Sequence, residues 1–229
     1  MARKVINDPP PRVRRGNHGD AQKMRAAALD AAMVLFSQGG LQAVTMRAVA
    51  ARLRVSPMTP YRYFEGKADL LRGLWQFVLR SVCDQMTAAI QAQSDPRARL
   101  RASLVALLAY YECHPDHYRL LYMTEQTTQR QSAAGLTSAP VYNELLDIVH
   151  AAVAQFARHI GAGLEHLKLA TDVRAAMQLG YLHGTMINVR YPWMDREQLR
   201  EVYVDRIIDA MEHCLRYGPG PAQEQRAAA

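Results

Sequence analysis

Cysteine is scarce in this 229-residue chain: Cys83, Cys113 and Cys214 lie far apart and form no C-x-x-C pair. Neither a disulfide framework nor a zinc knuckle is indicated, and a reducing compartment fits best. No uncharged apolar run reaches the ~18 residues that a spanning helix requires. The opening MARKVINDPPPRVRR has no apolar stretch of the signal-peptide kind. The expectation is a cytoplasmic chain without a membrane partner. No segment alternates apolar and polar residues at period two, which leaves β-strands without a signal. Nucleophile elbows, phosphate-cradling glycine loops and paired catalytic carboxylates are missing as well. One D-x-x-H, at Asp147 and His150, falls short of the two Glu-x-x-His motifs that a di-iron bundle uses. Cys113, His114 and His117 are ligand-type residues close together, yet Pro115 splits them across a helix boundary. No cofactor, no metal and no enzymatic activity are expected. A metal- or haem-binding helical enzyme is the remote rival, which elemental analysis and an absorption spectrum would separate.

What the chain does have is charge in one place. Of its 28 Lys and Arg and 21 Asp and Glu, 12 basic and 5 acidic residues fall in positions 1–70, so the net +7 belongs to the first third and the rest is balanced at 16 against 16. That asymmetry suggests a polyanion bound near the N-terminus, with a neutral body behind it. Residues 1–19, with Pro9, Pro10, Pro11 and five basic residues, read as a disordered basic arm, either solvated or reaching into a minor groove. Asp20 is placed to cap a first helix with Ala28, Leu29, Ala32, Met33, Leu35 and Phe36 on its apolar face, and Gly39-Gly40 stops it. Further helices are expected at about 67–95, 96–113, 116–126, 140–160, 171–190 and 196–216, bounded by Pro, Gly or Asp signals. The loop 126–139 and the tail 218–229 are polar or small-residue rich.

Between the first helix and Lys67 lies the stretch TMRAVAARLRVSPMTPYRYF. Thr45 precedes a short helix with Val49, Ala50 and Leu53 facing inward. Leu53, Arg54 and Val55 make a three-residue turn. Ser56 then caps a third short helix with Pro57 at its first position. Pro60 lacks the N–H that would reach back to the Ser56 carbonyl, so this helix should be tight, short and rigid. These are the dimensions of a helix-turn-helix, whose second helix enters the DNA major groove. Thr45, Ser56, Thr59, Tyr61 and Tyr63 supply hydroxyls, Val55 and Phe64 supply packing, and Lys67 adds a cation. Arg47 is the best candidate for a two-pronged guanine contact, while Met58 and Thr59 can meet thymine methyls.

The segment TMRAVAARLRVSPMTPYRYFEGKADLL resembles the DNA-binding region of TetR-family transcriptional regulators, over about residues 20–72. The resemblance implies that Thr45, Ser56, Tyr61, Tyr63 and Lys67 contact phosphates and that Arg47, Met58 and Thr59 face bases. Two departures stand out. Arg54 occupies the turn position where the family usually has glycine, and a left-handed residue with a side chain costs roughly 1 kcal/mol. Pro60 replaces a branched aliphatic.

In the body, Ala176, Gly180 and Gly184 recur every four residues, leaving one helix face almost free of bulk, where another helix can approach closely. The next helix has Asp195 and Gln198 in capping-box spacing and apolar residues on more than one face. Its stripe is Leu199, Tyr203, Ile207, Ala210, Met211 and Cys214, with Val202, Ile208 and Leu215 off it. The family resembled pairs its last two helices into a four-helix bundle, which implies a homodimer and a palindromic operator in double-stranded DNA. It also senses a small-molecule effector in this region, and Met86, Tyr110, Tyr118, Tyr122, Met177 and Tyr181 are the candidate lining.

The expected fold is therefore all-α, with about nine helices. An arm at 1–19 precedes a three-helix DNA-binding domain at 20–68, a ligand-binding and dimerisation domain at 69–217, and a tail at 218–229. The expected function is a ligand-responsive repressor; the alternative within the same fold is a non-sensing architectural or activating DNA binder.

Overall fold

A computed structural model describes residues 18–123, 140–188 and 190–219; all but the last two residues of the basic arm 1–19, the whole of the polar loop 126–139 and nearly all of the tail lie outside the described residues. Every regular element described is helical: eight α-helices and one short 3-10 helix. The chain divides into two compact units, Met1–Lys67 and Ala68–Ala229.

The first unit opens with α1, His18–Ala43, whose helical geometry breaks at Gly39 and at Gly40, where φ is 63°. A side chain is disfavoured at such a φ, and glycine there lets the chain turn away. Ala28, Leu29, Ala31, Ala32 and Phe36 are its buried face. Helix α2, Met46–Leu53, follows after two residues and buries Met46, Val49 and Ala50. Met46 adds to the inward face expected from the sequence, whereas Leu53 is only half-buried.

The second unit is a bundle arranged around one helix. Helix α3, Lys67–Gln91, runs into it from the last residue of the first unit, burying Leu74, Val78, Val82 and Met86 along a helical stripe. Helix α4, Pro96–Cys113, is capped by the Asp95 carboxylate on the Ala98 N–H at 2.8 Å, with Pro96 at its first position. Around α4 stand α5, Pro115–Tyr122; α6, Pro140–His159; α7, Leu167–Ile187; and α8, Arg196–Tyr217. Helix α7 also lies along α8, which Asp195 caps through the Gln198 N–H at 3.0 Å. The capping oxygens each satisfy one orphan donor of a first turn, which is why Asp-Pro and Asp-Arg mark these starts so clearly. Helix α7 begins four residues before the expected Thr171, at Leu167.

Candidate functional site

The basic first unit presents one unusual stretch of backbone. Thr45 accepts the Ala48 N–H at 3.1 Å and so caps α2. At the other end Arg54 adopts φ 57° and ψ 41°, the left-handed region. The Arg54 N–H bonds the Ala51 carbonyl at 3.1 Å and the Val55 N–H bonds that of Ala50 at 3.0 Å. This is the closing pattern usually made by glycine, so the turn is retained here with a side chain in the strained seat.

The third segment departs from the α-helix expected. Its only regular part is a 3-10 helix, Pro60–Arg62. Thr59 N–H bonds Ser56 O at 2.8 Å and Arg62 N–H bonds Thr59 O at 3.1 Å, both spanning three residues. Tyr63 and Phe64 N–H groups then share the Pro60 carbonyl at 3.0 Å each. Pro60 explains the pattern: with no N–H to return to Ser56, that carbonyl takes Thr59 instead, and the turn tightens. Ser56 is likewise no α-helical cap. Its hydroxyl accepts the Met58 N–H, two residues on, at 3.4 Å.

This geometry pushes side chains outward. Met58 is 68% exposed and Tyr61 50% exposed. Thr45, Arg47 and Ser56 are exposed, and Thr59 and Tyr63 are half-exposed. Phe64 is buried beneath them. Lys67 has an internal tie, its ammonium donating to the Leu41 carbonyl at 2.7 Å, with two N–H groups left for an anion. Arg25 was not singled out in the sequence, yet it fastens the segment. Its guanidinium lies 4.4 Å from the Phe64 ring centroid and donates to the Tyr63 carbonyl at 2.7 Å. The sequence signal was a lone Arg near the start of an amphipathic helix, and nothing in its spacing to residues 63 and 64 gave it away.

In the body, the six candidate ligand residues sit on helices α3, α4, α5 and α7. Tyr110 is buried, with its hydroxyl bonded to His117 Nδ1 at 2.7 Å. Burial, with His114 stacked alongside, lowers the His117 pKa to about 4, so the ring is neutral and accepts the tyrosine proton. The imidazoles of Cys113-His114-Pro115-Asp116-His117 therefore belong to an aromatic cluster. Among the described residues no group of three or more His, Cys, Asp or Glu is placed to hold a metal. Tyr118 bonds His183 Nδ1 and lies 4.9 Å from Tyr122, centroid to centroid. Tyr181 donates to Glu112, which also holds Arg200. Met177 offers its carbonyl to the Tyr203 hydroxyl at 3.1 Å. Met86 is buried on α3. Tyr118 and Tyr122 meet directly, and Tyr111 touches both of them and Tyr110; Arg174 beside Tyr122 and its partner Gln178 were not among the residues the sequence pointed to.

A cleft of about 250 Å³ opens beside this core, lined by Glu112, Pro115, Thr185, Met186 and Arg196. Its charged groups are already engaged: Glu112 with Arg200 and Tyr181, Arg196 with the Thr185 carbonyl at 2.6 Å. The small-residue face of α7 is bare, with Ala176 and Gly180 exposed and Gly184 half-exposed, and a Cβ on either glycine would meet nothing within 4 Å. Among the described residues no helix is long and apolar enough to cross a membrane.

Residues 28–74 match the family model described as bacterial regulatory proteins, tetR family. The likeness to the TetR family is thus shown for this N-terminal stretch. The match ends inside α3 and takes in α2, the left-handed turn and the 3-10 segment. Among relatives, the chain is 31% identical over 121 residues to the HTH-type transcriptional activator FasR of Mycolicibacterium smegmatis, covering 53% of this chain and 55% of FasR. It is 35% identical over 89 residues to the HTH-type transcriptional regulator BetI of Paraburkholderia phymatum, covering 38% of this chain and 45% of BetI. It thus spans about half the length of the curated relatives it matches. The fold resembles that of SmeT, repressor of the Stenotrophomonas maltophilia multidrug efflux pump SmeDEF. That likeness has a TM-score of 0.63 at 22% identity, over 83% of this chain and 91% of SmeT.

Proposed function

We propose that this chain is a TetR-family, sequence-specific DNA-binding transcriptional regulator, with residues 20–68 as its DNA-binding head and 69–217 as its sensing and pairing body. The observation that carries the reading is the tightened segment from Ser56 to Phe64. Its hydroxyls and one thioether face solvent while Phe64 and Pro60 anchor it below. A rigid wedge in a basic unit loses little entropy on docking. Thr45, Ser56, Tyr61, Tyr63 and Lys67 meet phosphates in this reading, and Arg47, Met58 and Thr59 meet base edges.

The bare face of α7, with Ile187 53% exposed beside it in sequence and Val202 of α8 51% exposed, supports pairing of two chains through α7 and α8. Two heads then read a palindromic operator with half-sites about one DNA turn apart. A small molecule in the body shifts the pair toward a head separation that fits the operator less well, and by linkage DNA weakens that ligand equally. We read the outcome as repression. The name of FasR favours activation as the second reading.

Arg47→Ala tests the base contact. It should cost about 1–3 kcal/mol on the selected operator and relax preference at one base pair, while Lys67→Ala weakens binding to all sequences alike. Both are read by fluorescence anisotropy on matched and scrambled duplexes. Equal losses on the two duplexes for Arg47→Ala would remove Arg47 from base readout.

A further inference from the structure

Helix α7 turns a polar stripe inward where a bundle helix ordinarily turns an apolar one. Thr171, Arg174, Gln178 and Thr185 recur at helical spacing, and each is more than nine-tenths buried. The two threonines are satisfied locally, each donating to a backbone carbonyl one turn back at 2.8 Å. Arg174 is different. Its Nη1 donates to Gln178 Oε1 at 2.8 Å, while its Nε is sealed from solvent with no acceptor. Among the described residues no carboxylate stands against it. Burial pulls its pKa down to about 10, and among the described residues the neighbour acting on it electrostatically is the Tyr122 hydroxyl. Tyr111 flanks Tyr122, ring centroids 5.9 Å apart, and its buried hydroxyl is turned to that of Tyr122. Among the described residues Arg174 Nε is therefore left without an acceptor beside a pair of phenols.

An arginine remains protonated inside a protein, so a buried guanidinium calls for an anion, and folded chains normally provide one. Here the described residues provide a neutral amide and phenols. We propose that the missing acceptor is the effector itself, a monoanionic carboxylate seated on the Arg174 guanidinium, with Gln178, Tyr111 and Tyr122 as neutral hydrogen-bonding neighbours and the tyrosine rings against its apolar body. The planar fork of arginine fits a carboxylate with two parallel bonds. A phosphate dianion fits less well, because one cation surrounded by neutral groups balances a single negative charge. The proposal rests on the reading of the body as a sensor and names the chemical class it senses.

The experiment uses the full chain and a graded series of straight-chain and aryl carboxylates, octanoate and benzoate among them, each paired with its primary amide, plus phenyl phosphate. Thermal melts and titration calorimetry are the readouts. At least one carboxylate should raise the melting temperature and bind once per chain, its amide at least tenfold more weakly. Arg174→Met, which removes the charge at similar volume, should melt at the wild-type temperature or above and lose that carboxylate at least tenfold. Arg174→Lys should keep part of the affinity.

Carboxylates no better than their amides overturn the proposal, as does a preference for phenyl phosphate over benzoate. So does Arg174→Met that melts well below wild type, since the arginine would then be balanced within the fold. Carboxylate binding that depends on Arg174 but leaves operator affinity unchanged would uphold this site and end the sensing reading. Operator release by a neutral molecule alone would do the reverse.

Discussion

At the scale of single residues, Arg54 shows how the turn of a DNA-binding motif survives without its usual glycine. Its left-handed backbone is held because both closing bonds, from Arg54 to Ala51 and from Val55 to Ala50, depend on it. The strain is then a constant cost of the head. Arg54→Gly should stabilise the protein by about 0.5–1 kcal/mol, since glycine accepts that conformation but loses more freedom on folding. A rise in melting temperature checks it; a fall would mean that the Arg54 side chain contributes more than its backbone costs. The departure was legible from sequence because position and residue type alone defined the conflict. Arg174 was not, since a single arginine between Val173 and Ala175 reads as a solvated residue until Thr171, Gln178 and Thr185 are seen to share its face. The threonines and glutamine at that spacing were the available signal.

At the scale of elements, caps were readable and tertiary clasps were not. Thr45, Asp95-Pro96 and Asp195 each announce a helix start within a few residues, because a cap acts on backbone N–H groups two or three residues away. Pro60 correctly foretold a tight, short segment, but its 3-10 character follows from which carbonyl the freed donors choose, and that choice is made in three dimensions. The tyrosines of the body were recognisable as hydroxyl-bearing rings. Their distribution among His117, His183 and Glu112 depends on how α4, α5 and α7 pack, which no local pattern records. Arg25 is the clasp with the most direct consequence: it ties α1 to the segment Ser56–Phe64 through the Tyr63 carbonyl and the Phe64 ring. Arg25→Met keeps length and removes both ties. It should weaken operator and scrambled DNA binding together by about 1–2 kcal/mol, the range of a charged hydrogen bond plus a cation–π contact. Arg25→Lys should restore part of the loss. Undiminished DNA binding by Arg25→Met would show that the recognition segment holds its pose unaided.

At the scale of the whole molecule, the chain joins a basic unit with an outward wedge to a larger helical unit with a polar interior stripe and a bare small-residue face. Charge asymmetry in the sequence already set the first unit apart, and the family match falls on that unit and the start of α3. The central claim is that the wedge reads DNA in duplicate. Selection of genomic fragments by the purified full chain, followed by anisotropy on the recovered duplex over a range of salt, addresses it most directly. The account predicts an enriched inverted repeat with half-sites about one helical turn apart, bound far more tightly than its scrambled counterpart and with affinity falling steeply as salt rises. Recovery of no common sequence, or equal binding of the repeat and its scramble at every salt concentration, would contradict it.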